Sequence, residues 1–390
     1  MEGAYFFGGN MNKQLILLAV LTFLAGLTEL VLSGILPYIA QDFNVSIPVA
    51  GNLITVFAIC FAIAGPIIMA YTAHMQKKKL LIGFIILFII GNLASAFSTQ
   101  FWMLMASRML LAVCVSMLIG FGLSLSVRVV EESYQTKAIS VIMMSISGSL
   151  VLGIPLGILI TEYFGWQMIF IGTSILSALI LILIVLLMPE ISGIKTASFF
   201  KQWGVLKDKR IFYTHMTSFL FFVGQSTFYM YLTPYLNQVG YQAGTVSLLY
   251  LTFGVSGILG SALGSTFVER LGIQKTMISL LTIYVFVMLS FIVTHHILIL
   301  LVISMIGFGM LGWALNAPTQ TRLILINKNS AGFNQTFSTS STQFGMALGS
   351  MIGGMIIASG VSIQMLTIVG AAIVFLALIA IIYSFKNSEI

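Results

Sequence analysis

The chain has 390 residues, 59% of them hydrophobic and 7% charged, and a mean hydropathy of +1.09. That is far more apolar surface than a water-soluble fold can hide, so a soluble enzyme or binding module is excluded and an all-α integral membrane protein is expected. The net charge of +7 does not indicate a nucleic-acid partner, because the lysines and arginines are dispersed over short connections instead of gathered into a patch.

Apolar runs broken by glycine, proline or charge predict twelve membrane helices, over 13–38, 47–73, 79–97, 101–127, 137–161, 166–188, 211–236, 244–268, 273–294, 296–318, 334–359 and 362–385. The first contains one acid, Glu29. The other nine acids (Glu2, Asp42, Glu131, Glu132, Glu162, Glu190, Asp208, Glu269 and Glu389) fall at predicted helix ends, in connections or in tails. A carboxylate embedded in hydrocarbon costs several kcal/mol unless it is protonated, paired or facing water, which makes Glu29 a functional candidate by default. The bland alternative is a permanently protonated packing residue. Helix two offers Asn52 and Thr55 and helix three Asn92, each as apt to join helices as to touch a solute. Helix four holds the one embedded arginine, Arg108. Helix five carries Gly148, Gly153, Pro155 and Gly157; the glycines read as a packing surface, and Pro155 as a kink.

The polar, basic stretch 189–210 reads as a linker between an N-terminal six-helix bundle, 1–188, and a C-terminal one, 211–390. In the second bundle, Gln225, Tyr229 and Tyr231 on helix seven, Trp313 and Asn316 on helix ten and Gln343 on helix eleven are candidate substrate contacts. Amides and rings without charge suit a neutral planar solute. Gly345, Gly349, Gly353 and Gly354 on helix eleven are expected, with those of helix five, to let helices of opposite halves approach and slide. No embedded acid or base is expected in this half. Cys60 and Cys114 sit in apolar runs and read as packing residues, so neither a disulfide nor a metal site is expected. The dispersed methionines read as packing too, and His295 and His296 as solvated loop residues.

Sixteen of the seventeen lysines and arginines lie in alternate connections or tails, and Arg108 is the exception. By the positive-inside rule both termini are cytoplasmic and the number of spans is even. The halves also repeat: LPYIAQDFNVS from Leu36 echoes TPYLNQVGYQA from Thr233, and the basic turn from His74 echoes that from Glu269. Two parallel halves about an axis along the membrane normal describe an alternating-access transporter with its site between them near the midplane.

These features together resemble the major facilitator superfamily, with 12 transmembrane helices in two pseudo-symmetric six-helix halves, and within it the twelve-helix drug:proton antiporter-1 family. The resemblance rests on the second-to-third helix turn (Ala73, His74, Lys77, Lys78 and Lys79), its better-kept second copy (Glu269, Arg270, Gly272 and Lys275), Arg108, and LGIPLG from Leu152 to Gly157. It implies a cytoplasmic gate at His74, Lys77, Lys78, Glu269 and Arg270. The first copy has Ala73 where the family's pattern has an acid, which weakens any gating salt bridge there. FGWQMIF (Phe164 to Phe170), QFGMALGSMIGG (Gln343 to Gly354) and GWALNAPTQ (Gly312 to Gln320) are similar to the arabinose-polymer and purine base and nucleoside efflux branch.

Glu29 lies roughly seven residues, ~10 Å, before helix one exits, and Arg108 as far into helix four from the same side. The two are therefore at one level, close enough to act on each other as a proton-coupling pair, with a permanent structural ion pair as the alternative. The expected function is proton-coupled export of a small neutral aromatic or polar solute, such as a purine base, a nucleoside or an amphipathic drug. A multidrug or sugar pump is the alternative, and a passive facilitator or lipid flippase a more distant one. No enzyme activity, cofactor or metal is expected, the proton gradient being the energy source. The partners are the solute, protons and the bilayer, and the chain is expected to act as a monomer in the bacterial cell membrane.

Overall fold

The computed structural model describes residues 13–72, 74–131, 134–192, 204–327 and 331–386. They form fourteen α-helical segments. The first half contains α1 (Lys13–Asp42), α2 (Ile47–Tyr71), α3 (Lys77–Ala96), α4 (Phe101–Ser126), α5 (Gln135–Phe164) and α6 (Gln167–Leu187). The second contains α7 (Lys209–Tyr229), α8 (Leu232–Val239), α9 (Ala243–Leu271), α10 (Ile273–Thr294), α11 (Leu298–Ala314), α12 (Asn316–Ile326), α13 (Ala331–Ala358) and α14 (Met365–Lys386). The segments α7 and α8 make one span between them, as do α11 and α12, giving twelve crossings.

Eleven stretches are long and apolar enough to cross a membrane by themselves. The twelfth crossing is α7 with α8, where the helix stops at Tyr229 and its first turn carries Lys209 and Arg210. Asp208 caps that turn by accepting from the Arg210 backbone N–H at 2.9 Å, and the Arg210 guanidinium holds its carboxyl below the usual carboxylate range. Both interrupted spans have a proline just after the break, Pro234 in α8 and Pro318 in α12. Each lacks the N–H that would have continued the ladder.

The two halves pack by one scheme. In the first, α1 lies on α5 and α4, α2 on α4, and α3 on α4 and α6. In the second, α7 lies on α13, α9 on α11, and α10 on α11 and α14, which are the corresponding spans. Across the halves, α2 meets α13, α5 meets α9, and α1 touches α8. The peripheral helices turn bare hydrocarbon outward, such as Ile175, Leu179 and Leu186 on α6 and Phe286 and Val293 on α10. That exposure is what lipid requires. One face of the bundle, the basic face, carries Lys13, Lys386 and the turns rich in lysine and arginine; the other is poor in charge.

Three expectations need correction. The tenth span runs on to Ile326 and draws Arg322 out of the connection into α12, where it is buried. Its Nε donates to Thr214 Oγ1 at 3.1 Å and its Nη2 to Ser384 Oγ at 2.8 Å, with the guanidinium 3.6 Å above the Phe385 ring. Hydroxyls and an aromatic face make burial of that charge tolerable. His215 is buried as well, its Nε2 3.2 Å from Asn334 Oδ1, so the second half does embed basic groups. His295 likewise is not a solvated loop residue, being 4% exposed against Tyr235 and Gln364.

The glycine stripes also serve a different contact from the one expected. Gly148, Gly153 and Gly157 on α5 face Phe23, Leu27 and Val31 of α1, in the same half. Gly345, Gly349 and Gly353 on α13 face α7, again in the same half. The stripes go where backbones come closest, and between halves that task falls to Gly254 against Val151, Gly51 against Tyr231 and Gly354 against Pro48. Pro155 lies inside an unbroken α5. A Cβ at Gly349 would press on the Val223 carbonyl and lie 2.8 Å from Ser226 Cβ, whereas one at Gly83 meets nothing within 4 Å. Gly349→Val is therefore expected to cost about 1–3 kcal/mol by overpacking, and Gly83→Ala to be neutral or slightly stabilising, as read by thermal unfolding in detergent.

Residues 193–203 of the linker, and Ala73, lie outside the described residues. The linker's start is held to the first half, with the Lys77 backbone N–H donating to the Ile191 carbonyl at 2.8 Å and Arg128 Nη1 to that of Ser192 at 2.9 Å.

Candidate functional site

Near the middle of α1, Thr28 and Glu29 point their polar groups to different neighbours. The Thr28 hydroxyl is satisfied inside the helix by the Leu24 carbonyl at 3.0 Å, while its own carbonyl accepts from Arg108 Nη1 at 2.9 Å. Arg108 is 0% exposed, and its guanidinium lies 4.2 Å above the Phe57 ring of α2. Glu29 turns to the other half, where its Oε1 accepts from Gln343 Nε2 of α13 at 2.7 Å. Acid and arginine thus line one cavity without a direct ion pair: the acid is bound across the halves and the arginine to a backbone carbonyl.

The cavity measures about 10 Å³, roughly the room for one water centre, and is closed in by groups of both halves, among them Phe57, Tyr229, Met230 and Met346. Three side-chain atoms around it have no hydrogen-bond partner among the described residues: Arg108 Nε, Tyr229 Oη and Gln343 Oε1. Each such atom costs about 1–3 kcal/mol while it stays dry, so the cavity wall presents both unmet donors and unmet acceptors. The Tyr229 ring continues into an aromatic wall, with Phe253 at 4.8 Å and Tyr250 at 5.8 Å between centroids.

Of the residues singled out in the sequence, Glu29, Arg108, Tyr229 and Gln343 come together here. Gln225 is buried one turn away, beside Gly312 and Tyr284. Tyr231 fills the seam between halves: its hydroxyl donates to the Ser350 carbonyl at 2.8 Å, and its ring packs where Gly51 and Gly353 leave room. Trp313 packs on Gly257 of α9. Asn316 and Asn52 are exposed, Thr55 bonds back to the Gly51 carbonyl, and Asn92 bonds to the Phe88 carbonyl behind α4. None of these seven lines the cavity. At the basic face, Lys77 and Lys78 donate to the Thr72 and Val185 carbonyls at 2.9 Å. His74, Glu269 and Arg270 are exposed, and their side chains make no hydrogen bond or ion pair to another described residue. Phe57 and Tyr250 were not singled out, because an aromatic residue in an apolar run carries no sign of what stands over it.

Two repeated six-helix halves that enclose a small cavity holding an acid and an arginine define a membrane transporter. The chain belongs to the major facilitator superfamily, which residues 18–333 match. It is 28% identical to the MFS-type transporter YbcL of Bacillus subtilis (strain 168), over 96% of each chain. To a "Probable sugar efflux transporter" of Mannheimia succiniciproducens it is 32% identical, over 65% of this chain and 64% of that one. Among solved structures it is similar to a bacterial homolog of the human lysosomal transporter Spinster in an inward-facing conformation, with a TM-score of 0.75, 15% identity and 98% of each chain covered.

Proposed function

We propose that this chain is a proton-coupled exporter of the drug:proton antiporter-1 branch, acting as a monomer in the bacterial cytoplasmic membrane with its basic face cytoplasmic. The supporting observation is the hydrogen bond from Gln343 Nε2 to Glu29 Oε1, which joins the embedded acid to the opposite half inside the cavity. Proton uptake from outside neutralises Glu29, and substrate entering from the cytoplasm competes for the same space. A ligand shifts an inward–outward equilibrium only by its differential affinity for the two states, so antiport needs proton and substrate to bind at each other's expense. Glu29 and Gln343, bonded to each other inside one small cavity, support such a competition. Residues 1–188 and 211–390 are the rocking units, joined by the linker at 189–210, and the exposed turns at His74 and Glu269 form the cytoplasmic gate.

The substrate is a small solute, neutral and with a flat ring, such as a purine base, a nucleoside or an amphipathic drug. Tyr229 offers a ring face, and Gln343, Arg108 and the Tyr229 hydroxyl offer unmet hydrogen bonds. A sugar is the second reading, favoured by the similarity to a relative named as a sugar efflux transporter. The test is a thermal-shift screen of purines, nucleosides, sugars and drugs on the purified protein, followed by flux of the hits in proteoliposomes under an imposed pH gradient. Flux indifferent to the gradient would leave a facilitator. Tyr229→Ala is expected to weaken the best ligand about tenfold, the worth of one good ring contact, while Asn92→Ser, behind α4, leaves affinity unchanged; titration calorimetry reads both.

A further inference from the structure

Two of the hydrogen bonds that cross between the halves end on backbone carbonyls that a proline has set free. In an α-helix the carbonyl of residue i accepts from the N–H of residue i+4, and proline has no N–H to give. Pro37 stands four residues after Ser33 in α1, and Pro66 four residues after Ala62 in α2. Each carbonyl receives a hydroxyl from the second half instead. Thr233 Oγ1 of α8 donates to the Ser33 carbonyl at 3.1 Å, with Tyr250 Oη of α9 3.1 Å from the Thr233 hydroxyl and 3.5 Å from the same carbonyl. Ser340 Oγ of α13 donates to the Ala62 carbonyl at 3.1 Å.

Their depth gives the pair its meaning. Ser33 is one helical turn beyond Glu29 toward the charge-poor face, and Ser340 is about one turn from Gln343 toward the basic face. The two contacts therefore bracket the Glu29–Gln343 bond, one on each side of the cavity. Thr233 and Tyr250 are 2% and 1% exposed and Ser33 3%, so this contact is buried away from bulk solvent when the halves are closed. An unserved carbonyl in a dry membrane interior is costly.

We propose that these proline-freed carbonyls are paired latches that seal the cavity toward either face, Ser33 against Thr233 and Tyr250 on one side and Ala62 against Ser340 on the other. The inference rests on the alternating-access reading above. Both latches are shut here, in keeping with a cavity that holds little more than one water. Opening toward one face breaks one latch, and the water admitted by that opening takes the hydroxyl's place on the carbonyl. Each latch can thus be released without leaving a buried acceptor dry.

The test follows a cysteine at Leu30, beside Glu29 in the cavity, in a chain with Cys60 and Cys114 changed to serine. It is titrated with a membrane-impermeant maleimide from each face of reconstituted vesicles. Thr233→Val combined with Tyr250→Phe is expected to raise labelling from the charge-poor face about fivefold, the worth of roughly one net hydrogen bond. Pro37→Ala keeps both hydroxyls but returns an N–H to Ser33; it is expected to give a similar increase, with no further gain when combined with the pair. Ser340→Ala and Pro66→Ala are expected to do the same from the basic face. A Pro37→Ala chain that labels like the parent, or whose effect multiplies with the hydroxyl variants, overturns the latch. Labelling from one face alone under every pH gradient would instead sink alternating access, while labelling from both faces that no latch variant changes sinks the latch alone. Size-exclusion profiles and thermal midpoints identify any misfolded variant, and the hydroxyl and proline routes test each latch independently.

Discussion

Glu29→Gln is expected to abolish uphill export while leaving passive exchange of substrate across the membrane. Glutamine matches the carboxylate in size, and its amide oxygen can still accept from Gln343 Nε2, so the bond between the halves is kept. What it cannot do is gain and lose a proton. Flux driven by an imposed pH gradient should fall to the level of empty vesicles. Counterflow, in which labelled substrate exchanges for unlabelled without a gradient, should persist within a few-fold of the parent. Glu29→Asp separates the roles from the other direction: it keeps a titratable group but draws it back by one methylene from Gln343, so weakened coupling is expected. Full gradient-driven flux in the glutamine variant would remove Glu29 from the proton path.

Arg108→Ala carries the second large effect. The side chain is fully buried, bonded to the Thr28 carbonyl and stacked on Phe57, and Nε still lacks a partner. Truncating it empties a guanidinium-sized space, frees a carbonyl and removes the one cation beside the acid, so slower transport is expected. The more telling change is in pH dependence. A nearby cation acts on the balance between the protonated and ionised carboxyl, so losing it is expected to displace the pH profile of transport. Arg108→Lys restores the charge but not the flat stack on Phe57 or the forked donors. It should bring back the pH profile more completely than the thermal midpoint. Initial rates across internal pH in proteoliposomes measure both, and an unchanged profile in Arg108→Ala would show that the two groups do not sense each other.

The architecture was legible in the chain because a bilayer imposes a simple demand: runs of about twenty apolar residues bounded by charge. Even the missing apolar signal of α7 has a local cause, the Lys209–Arg210 pair and the break at Tyr229. The site was legible in part. Glu29 and Arg108 stand out because a charge in hydrocarbon has no bland explanation, and Tyr229 and Gln343 because they are polar at the same depth. Asn92 and Thr55 share that signature but spend it on carbonyls of their own helices. Hydrogen bonding within a helix and across a cavity draws on the same residue types, so sequence cannot separate them. Arg322 was misplaced because APTQTR reads as a connection until Thr214, Ser384 and Phe385, from two other helices, are seen around the guanidinium. The glycine stripes face helices of their own half and not of the other, since a stripe does not say which helix it meets.

The central claim is that Glu29 changes its protonation state during transport. Infrared difference spectroscopy of the reconstituted protein, comparing the parent chain with Glu29→Gln, reads that directly through the protonated-carboxyl band. A band that is present without substrate, disappears when a transported ligand is added at fixed pH, and is missing throughout from the glutamine variant is the predicted result. A Glu29 band that stays the same with and without ligand across the pH range of transport would contradict the account.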